Sequence, residues 1–244
     1  MKLGLSNTVR SQVSGEWTPA RFGSDLKLWL RKDTGLQESD GSTPEDTDQI
    51  TQWTDQSGSG NNMVAPNNYF TYDAATGGAE SGDGTNSKFY LATDGSKDVT
   101  FTGGFACYAR LSLSTVSSSG GTDLFIYDSS SSGSDFFRFQ STTELRGKID
   151  NSTKFAWSYT NPSLDSFNNW GLERDGSNIL SAYLNGSAQS RTSGSGYDSG
   201  AISGDFVLDA IGGLWDGIFV EIIWVNRGLT ASERTSLNTY LNSL

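Results

Sequence analysis

Two sets of carboxylates have the residue types that glycoside hydrolysis requires. Retaining hydrolysis uses two carboxylates roughly 5 Å apart, which one strand can supply from alternate or nearly alternate positions. Glu173 with Asp175 is one such pair, and Glu221 with Asp216 or Asp209 is the other. Asp175, however, begins an Asp-Gly turn signal, which takes it out of register with Glu173. The chain has no histidine, the usual base of a nucleophilic triad. We therefore expect no enzyme.

Glu221 lies within the most apolar run of the chain. Seven of the eight residues from Ile218 to Val225 are apolar, which predicts a strand covered on both faces. In a regular strand Glu221 shares a face with Phe219, Ile223 and Val225. A carboxylate there is either an acid with a raised pKa or a structural acid satisfied by arginine or by backbone amides. We favour the structural role.

The end of the chain predicts a short helix. Thr230 and Glu233 have the spacing of a capping box, and Leu237, Tyr240 and Leu241 fall on one helical face. The chain should therefore end with a central strand, a tight connection and a helix that packs back on the sheet.

Elsewhere the pattern is that of short strands between turns. The chain has 29 glycines and 12% aromatic residues but only 34% hydrophobic residues. Alternation from Phe105 to Leu113 places Cys107 in the core as a buried small thiol. A single cysteine cannot close an intrachain disulfide.

Charge and hydropathy exclude several classes of partner. The formal net charge of −11 opposes binding to nucleic acid or to an anionic membrane surface, because both rely on clustered Lys and Arg. No window of 18 apolar residues occurs, so no membrane span is expected. The first residues, Met1 to Asn7, are too polar for the apolar core of a secretory signal.

Three ordered segments resemble laminin-G-like, concanavalin-A-type jelly-roll domains. They are Trp53 to Asn62, which is similar to Trp-x-Asp-x-Ser-Gly-x-Gly-Asn; Tyr183 to Gly186; and Gly217 to Glu233, with Asn226-Arg227 and Leu229-Thr230. Val220 departs from the family, which often has an Asp there. Phe167 to Trp170 depart from a Trp-His-His-Val pattern.

The resemblance runs from about Leu26 to Leu244 and implies the fold. We expect an all-β protein, a two-sheet antiparallel β-sandwich of the concanavalin A-like jelly-roll type with a short C-terminal helix. Residues 24–244 would form this domain, and residues 1–23 an N-terminal arm or lead-in segment. The alternative for residues 1–23 is a first edge strand of the same sandwich.

The resemblance also implies two kinds of binding site. Related domains bind Ca²⁺ at one rim through Asp, Asn and carbonyl oxygens, and Asp55, Asn61 and Asn62 occur together in one polar turn. Local side-chain to backbone bonds are the favoured alternative for these three residues. Glycan binding would use an exposed aromatic platform, for which the candidates are Trp53, Tyr69, Tyr72, Tyr197 and Trp215. The favoured alternative for each is a place in the core, where most aromatic residues of a β-sandwich lie.

These features together suggest a particle protein. Stand-alone domains of this kind with a short lead arm are familiar in tailed bacteriophages, whose proteins are made in the host cytoplasm and need no export signal. We therefore expect a non-enzymatic virion protein, either a head decoration or a tail or fibre component. It would contact other virion proteins through its arm, form a homo-oligomer on the particle, and bind cell-surface glycans without contacting nucleic acid or membrane.

Two alternatives remain open. One is a secreted bacterial carbohydrate-binding module or lectin whose leader is missing. The other is a divergent glycosidase or lyase.

Overall fold

The computed structural model describes residues 16–66, 70–81, 87–91, 98–116, 123–127, 135–149, 153–160, 162–192, 201–213 and 216–244. Short antiparallel strands are the main regular structure of these segments, and one α-helix follows the last strand.

The strands of the first half are β1 (Leu26–Leu30), β2 (Leu36–Gln37), β3 (Gln49–Ile50), β4 (Gln52–Trp53), β5 (Met63–Val64), β6 (Phe70–Asp73), β7 (Gly78–Ser81), β8 (Ser87–Tyr90), β9 (Val99–Phe101), β10 (Phe105–Leu113) and β11 (Asp123–Tyr127). The later elements are β12 (Phe136–Ser141), β13 (Glu144–Ile149), β14 (Thr153–Ser158), β15 (Asn168–Arg174), β16 (Leu180–Leu184), β17 (Ser187–Ala188), β18 (Ser190–Arg191), β19 (Phe206–Leu208), β20 (Ala210–Gly213), β21 (Gly217–Val225) and α1 (Ala231–Asn242).

Two large sheets contain most of these strands. The first has the order β17-β16-β15-β10-β21-β7-β6-β3, and β1 also pairs with β21. The second has the order β18-β14-β13-β12-β11-β20-β8-β5-β4-β2. A separate ribbon pairs β9 with β19. The described residues therefore form the predicted two-sheet antiparallel β-sandwich with a short C-terminal helix.

Residue alternation places the main core between the two sheets. In β10, Phe105, Cys107 and Leu111 face this core, together with Phe137 and Trp157 from the second sheet. Cys107 is fully buried, as predicted, and burial raises the pKa of its thiol well above the ordinary value. The apolar alternation of the sequence thus corresponds to the inward face of the sandwich.

Strand β21 lies in the interior of the first sheet. It pairs along its length with β10 on one side, and with β1 and β7 on the other. From Phe219 to Val225 every residue is buried. The prediction of a central strand covered on both faces is confirmed.

Helix α1 covers the outer face of the first sheet. Leu237, Tyr240 and Leu241 are buried there in a second apolar cluster that includes Ile223 and Val225 of β21. Thr230 and Glu233 form the predicted capping box. Apolar side chains therefore pack on both faces of β21, those of the inter-sheet core on one face and those of α1 on the other.

The segment before β1 packs against the same outer face. Pro19–Asp25 forms a 3₁₀ helix that is interrupted at Gly23, and Phe22 is buried in the second cluster beside the partly buried Trp17. Residues 1–15 lie outside the described residues. The proposed division between 1–23 and 24–244 therefore stays a prediction.

Within the described residues, α1 and the 3₁₀ helix are both too short to cross a membrane.

Candidate functional site

Glu173, a candidate hydrolytic carboxylate, forms a buried ion pair. It lies on β15 and accepts two hydrogen bonds from Arg234 of α1, with Nε–Oε1 and Nη2–Oε2 distances of 2.8 Å each. The buried Tyr108 hydroxyl donates a third hydrogen bond to Oε1. Asp175 lies beyond the end of β15, where its carboxylate accepts the backbone amides of Ser177 and Ile179. This pair is structural, since Glu173 joins the helix to the sheet.

Glu221 does not share a face with Phe219, and the reason is a β-bulge. Arg110 of β10 is opposite Glu221, but the next residue, Leu111, is opposite Phe219, so Val220 is the extra residue. A bulge reverses the alternation beyond it. Phe219 therefore faces the inter-sheet core, whereas Glu221 and Ile223 face helix α1. The expectation of a regular strand was wrong at this position.

The partners of Glu221 also differ from those expected. Its Oε1 accepts hydrogen bonds from the Trp29 indole, at 2.5 Å, and from the Tyr240 hydroxyl of α1. Its Oε2 is buried and has no hydrogen-bond partner. Because burial disfavours the charged form, the pKa of Glu221 rises from its ordinary 4.5 to about 7. The hydrogen bonds to Oε1 come from aromatic side chains, while the charge of Arg31 and the backbone of Lys32 are smaller influences that oppose the rise of the pKa.

Neither proposed partner faces this carboxyl group. Asp209 precedes β20 of the second sheet, where its carbonyl accepts the amide of Leu91. Asp216 precedes β21 and contacts Thr115. Glu221 is fully enclosed beneath α1, so a substrate cannot reach it without displacement of the helix.

The candidate calcium turn instead covers the free edge of β1. Asp55 is buried, and each of its carboxylate oxygens accepts two hydrogen bonds. Its Oδ1 accepts from the amides of Trp29 and Ser57, and its Oδ2 accepts from the Ser57 hydroxyl and the Asn61 amide. The Asn61 side chain donates to the Lys27 carbonyl at 2.5 Å. This loop therefore gives hydrogen-bond partners to an edge that would otherwise be open.

Asn62 has the same kind of local role, because its side-chain oxygen accepts the Asp55 amide at 3.0 Å. Among the residues that the structure describes, no group of three or more His, Cys, Asp or Glu is placed to hold a metal ion. The hydrogen bonds thus favour local side-chain to backbone bonding over calcium ligation for these three residues.

The aromatic candidates separate into two groups. Trp53 is fully buried in the inter-sheet core and donates its indole N–H to the Arg31 carbonyl at 3.1 Å. It cannot serve as an exposed platform, because β4 turns its ring inward. Tyr69, Tyr197 and Trp215 lie outside the described residues. Tyr72 is partly exposed and lines a surface pocket.

The pocket of Tyr72 lies where β6 of the first sheet meets β2 at the edge of the second. It has a volume of about 220 Å³, and Leu36 and Pro44 form a buried apolar part of its wall. The polar wall consists of Asp33, Gln37 and Thr43. We call this cavity the Asp33–Tyr72 pocket.

Backbone geometry fixes the carboxylate of this pocket. Asp33 has a positive φ of 52°, and its amide donates to the Gly77 carbonyl at 2.9 Å. Its carboxylate lies directly over Gly77, where an added Cβ would be 2.2 Å from Oδ1. Because Gly77 has no side chain, the Asp33 carboxylate can occupy this position.

Tyr72 and Asp33 form one hydrogen-bonded unit. The Tyr72 hydroxyl donates to Asp33 Oδ1 at 2.7 Å. This bond to a carboxylate, followed by burial and the nearby charges of Asp33, Asp73 and Asp46, raises the pKa of Tyr72 to about 12. The hydroxyl remains protonated at neutral pH. The pocket thus offers a fixed carboxylate acceptor beside a fixed aromatic ring.

Sequence reasoning identified Tyr72 but missed Asp33 and Gly77. Asp33-Thr34-Gly35 has the composition of a turn, and this was the available signal. Asp33 and Tyr72 are 39 residues apart along the chain, so no local pattern indicated their contact.

The comparisons with known proteins agree with this architecture. No protein-family model and no curated protein matches the sequence. Similar solved structures include the Trypanosoma rangeli sialidase, with a TM-score of 0.57, 14% identity, and coverage of 89% of this chain and 33% of the sialidase chain. The binding domain of Paraclostridial Mosquitocidal Protein 1 gives a TM-score of 0.56, 12% identity, and coverage of 93% and 53%. The botulinum neurotoxin serotype G binding domain gives a TM-score of 0.56 and 14% identity, with coverage of 89% of this chain and 51% of the neurotoxin chain.

These identities establish a shared fold and nothing more specific. The chain has an antiparallel β-sandwich fold. It spans about a third of the sialidase chain and about half of each toxin binding-domain chain.

Replacing Asp55 should show the structural role of its turn. In Asp55→Ala, four hydrogen bonds are lost, and the buried amide of Trp29 is left without a partner. The free energy of unfolding should fall by about 2–4 kcal/mol in urea titrations. The exposed Asp165 is the matched control, and Asp165→Ala should change it by less than about 0.5 kcal/mol. A wild-type melting temperature that rises with added Ca²⁺, and does not rise in Asp55→Ala, would assign Asp55 to metal binding instead.

The raised pKa of Glu221 should make the stability of the protein depend on pH. Its pKa is higher in the folded chain, at about 7, than its ordinary value of 4.5, so folding favours the protonated form. Its contribution is complete below pH 4.5 and is lost as the pH rises to about 7. From pH 5 to pH 8, the free energy of unfolding of Glu221→Gln should therefore rise by about 2–3 kcal/mol relative to that of wild type. Urea unfolding at both pH values measures this difference. An equal difference at the two pH values would contradict the raised pKa.

Proposed function

We propose that this chain is a non-enzymatic, lectin-like domain that binds a glycan in the Asp33–Tyr72 pocket. The observation that supports the proposal is the fixed pairing of a carboxylate with an aromatic ring in a surface cavity. Sugar hydroxyls donate hydrogen bonds to a carboxylate, while the C–H face of a sugar ring packs on an aromatic ring. Ligand pockets characteristically combine such apolar walls with a few fixed polar groups.

The size of the pocket supports a ligand of one sugar ring. Its volume of about 220 Å³ is smaller than the range of about 300–1,000 Å³ for pockets that enclose drug-sized ligands. Because one small pocket binds weakly, useful affinity would require several copies acting together.

The enclosed carboxylates support a non-enzymatic role. Glu173 is held by Arg234, and Glu221 is covered by α1. Most glycoside hydrolases use two carboxylates that both reach the substrate. A divergent glycosidase is therefore the less favoured alternative.

The location of this domain is a further part of the proposal. The short lead segment and the resemblance described above suggest a head decoration or a tail or fibre component of a tailed bacteriophage. Residues 1–23 would attach the domain to other virion proteins. Repetition on a symmetric particle would supply the avidity that one pocket lacks. A secreted bacterial carbohydrate-binding module or lectin is the alternative, and it would use the same pocket.

Replacing Tyr72 should weaken glycan binding while the fold persists. On a glycan array, with the chain displayed in multivalent form, Tyr72→Ala should lower the apparent affinity for the best ligand at least about tenfold. Tyr72→Phe keeps the ring and loses only the hydroxyl bond to Asp33, so its loss should be a few-fold. Chelator should not change binding, because the residues that line the proposed site include one carboxylate, that of Asp33, whereas a calcium site uses about six to eight oxygen ligands.

Gly77→Ala gives an independent check. Its added methyl group should displace the Asp33 carboxylate and weaken binding, and because Gly77 has a positive φ of 72° a urea titration should accompany the binding measurement. Thr143→Ala changes an exposed residue in the turn between β12 and β13, far from the pocket in the strand order, and should bind as wild type does. The pocket would be excluded as the binding site if Tyr72→Ala bound every glycan as well as wild type did.

Mass spectrometry of purified phage particles tests the location separately. The proposal expects peptides of this chain in washed virions at a copy number that matches a symmetric structure. Recovery of the chain only from the medium, never from particles, would favour the secreted lectin.

A further inference from the structure

A second surface cavity lies beside the Asp33–Tyr72 pocket, at the turn that follows β1. Its volume is about 230 Å³, close to that of the pocket. Asp33 lines both cavities, while Thr34 lines the second and Gly35 lines the first. The two cavities are therefore neighbours that share one carboxylate. We call the second one the Arg31 cavity.

Backbone hydrogen bonds hold the turn between the two cavities in place. The Thr34 amide donates to the Arg31 carbonyl at 3.2 Å, and the Asp33 amide donates to the Gly77 carbonyl at 2.9 Å. The ridge that separates the cavities is thus formed before any ligand binds, as is usual for small-molecule sites.

One oxygen of the shared carboxylate can accept a hydrogen bond from a ligand. Asp33 Oδ1 accepts the Tyr72 hydroxyl at 2.7 Å, whereas Oδ2 accepts no hydrogen bond from the described residues. The side chain is exposed. A carboxylate can accept about four hydrogen bonds, so Asp33 keeps capacity for a ligand hydroxyl after it has bound Tyr72.

The Arg31 guanidinium supplies hydrogen-bond donors to the second cavity. It lies over the Trp29 ring, with its central carbon 5.6 Å from the ring centroid, and this cation–π contact favours one position of the side chain. Its charge also opposes the rise in the pKa of the buried Glu221. Arg31 is exposed, and within the described part of the chain its guanidinium forms no hydrogen bond or ion pair. Its N–H groups can therefore donate to a ligand.

The side-chain charges of the Arg31 cavity are balanced. It is lined by two cations and two carboxylates, those of Arg31, Lys32, Glu16 and Asp33. The Lys32 ammonium group already donates to the Leu244 carbonyl at 3.1 Å. A cavity with donors and acceptors, and without an excess of either charge, suits the hydroxyl groups of a neutral sugar better than it suits an anion.

Tyr240 gives the Arg31 cavity an aromatic wall. Its hydroxyl donates to the buried Glu221, which fixes the position of the ring. Thr18, Thr34 and Ser243 add hydroxyl groups to the lining. The cavity thus combines an apolar surface with fixed polar groups, as the neighbouring pocket does.

We propose that the glycan of the Asp33–Tyr72 pocket extends past Asp33 into the Arg31 cavity, so that the ligand is a neutral oligosaccharide of at least two rings. One ring packs on Tyr72, and the next lies in the Arg31 cavity, where its hydroxyls donate to Asp33 Oδ2 and accept from Arg31. This inference rests on the proposed function of the pocket. Because the glycosidic bond makes the second contact intramolecular, a disaccharide should bind much more tightly than either ring alone.

The dependence of binding on glycan length tests this inference. The probes are glucose, cellobiose and cellotriose; N-acetylglucosamine, chitobiose and chitotriose; and galacturonic acid with its dimer and trimer. Each is titrated against the full chain, and binding is followed by amide chemical shifts. In at least one neutral series the disaccharide should bind at least about tenfold more tightly than the monosaccharide. It should also shift the amides of Thr34 and Ser243, which the monosaccharide should leave unchanged.

Replacing Arg31 should remove only the advantage of the longer glycan. Arg31→Met removes the donors but keeps a long side chain over Trp29, so the disaccharide should bind at most about twofold more tightly than the monosaccharide. Affinity for the monosaccharide should equal that of wild type, which also shows that the variant is folded. Arg21→Met makes the same change in net charge at an exposed arginine that lines neither cavity, and it should bind both sugars as wild type does.

Failure of this inference differs from failure of the pocket itself. If Tyr72→Ala weakens binding of the monosaccharide but no disaccharide gains affinity, or if Arg31→Met and Arg21→Met behave alike, the pocket stands and its extension is wrong. If Tyr72→Ala changes nothing, or if no probe binds, the proposed function fails and the extension fails with it. Tighter binding of the galacturonate series than of both neutral series would contradict a neutral ligand.

Discussion

The structure depends on the burial of β21 on both of its faces. One face of this strand packs in the inter-sheet core, through Phe219, Ile222 and Trp224. The other packs under α1, through Ile223 and Val225. Burial of an apolar side chain contributes about 1.5–3 kcal/mol. The strand therefore holds the sandwich and its C-terminal helix together as one unit.

This constraint also determines which carboxylates are available for chemistry. The bulge at Val220 turns Glu221 toward α1, where Trp29 and Tyr240 enclose it. Glu173 is enclosed by the same helix through Arg234. The acids that suggested hydrolysis in the sequence thus belong to the attachment of the helix. Accessible polar groups lie elsewhere, among them those of the Asp33–Tyr72 pocket.

The predictable part of the fold is the part with long, regular alternation. The sequence predicted β10, β21 and the capping box of α1 because each has a local pattern with one structural meaning. It did not predict the bulge at Val220, which depends on the register with β10. It left Trp53 open between a core residue and a surface platform, since a strand of two residues is too short for alternation to indicate the direction of a side chain.

The candidate site was less predictable than the fold. Tyr72 was recognisable as a member of an aromatic cluster. Its partner Asp33 lies in the turn after β1, and Gly77 leaves room for the Asp33 carboxylate. Asp55 and Asn61 had the composition of a calcium turn, and only the hydrogen bonds show that they cover the edge of β1. In both cases the decisive information is a contact between segments far apart in the sequence.

Amide hydrogen exchange of the native chain tests the central claim most directly. If β21 is the innermost strand, the amides from Ile222 to Val225 should exchange only through global unfolding, together with their partners in β10. The amides of the edge strands β3 and β17 should exchange much faster. Exchange of β21 at the rate of those edges would show that the strand is not enclosed, and would contradict the account.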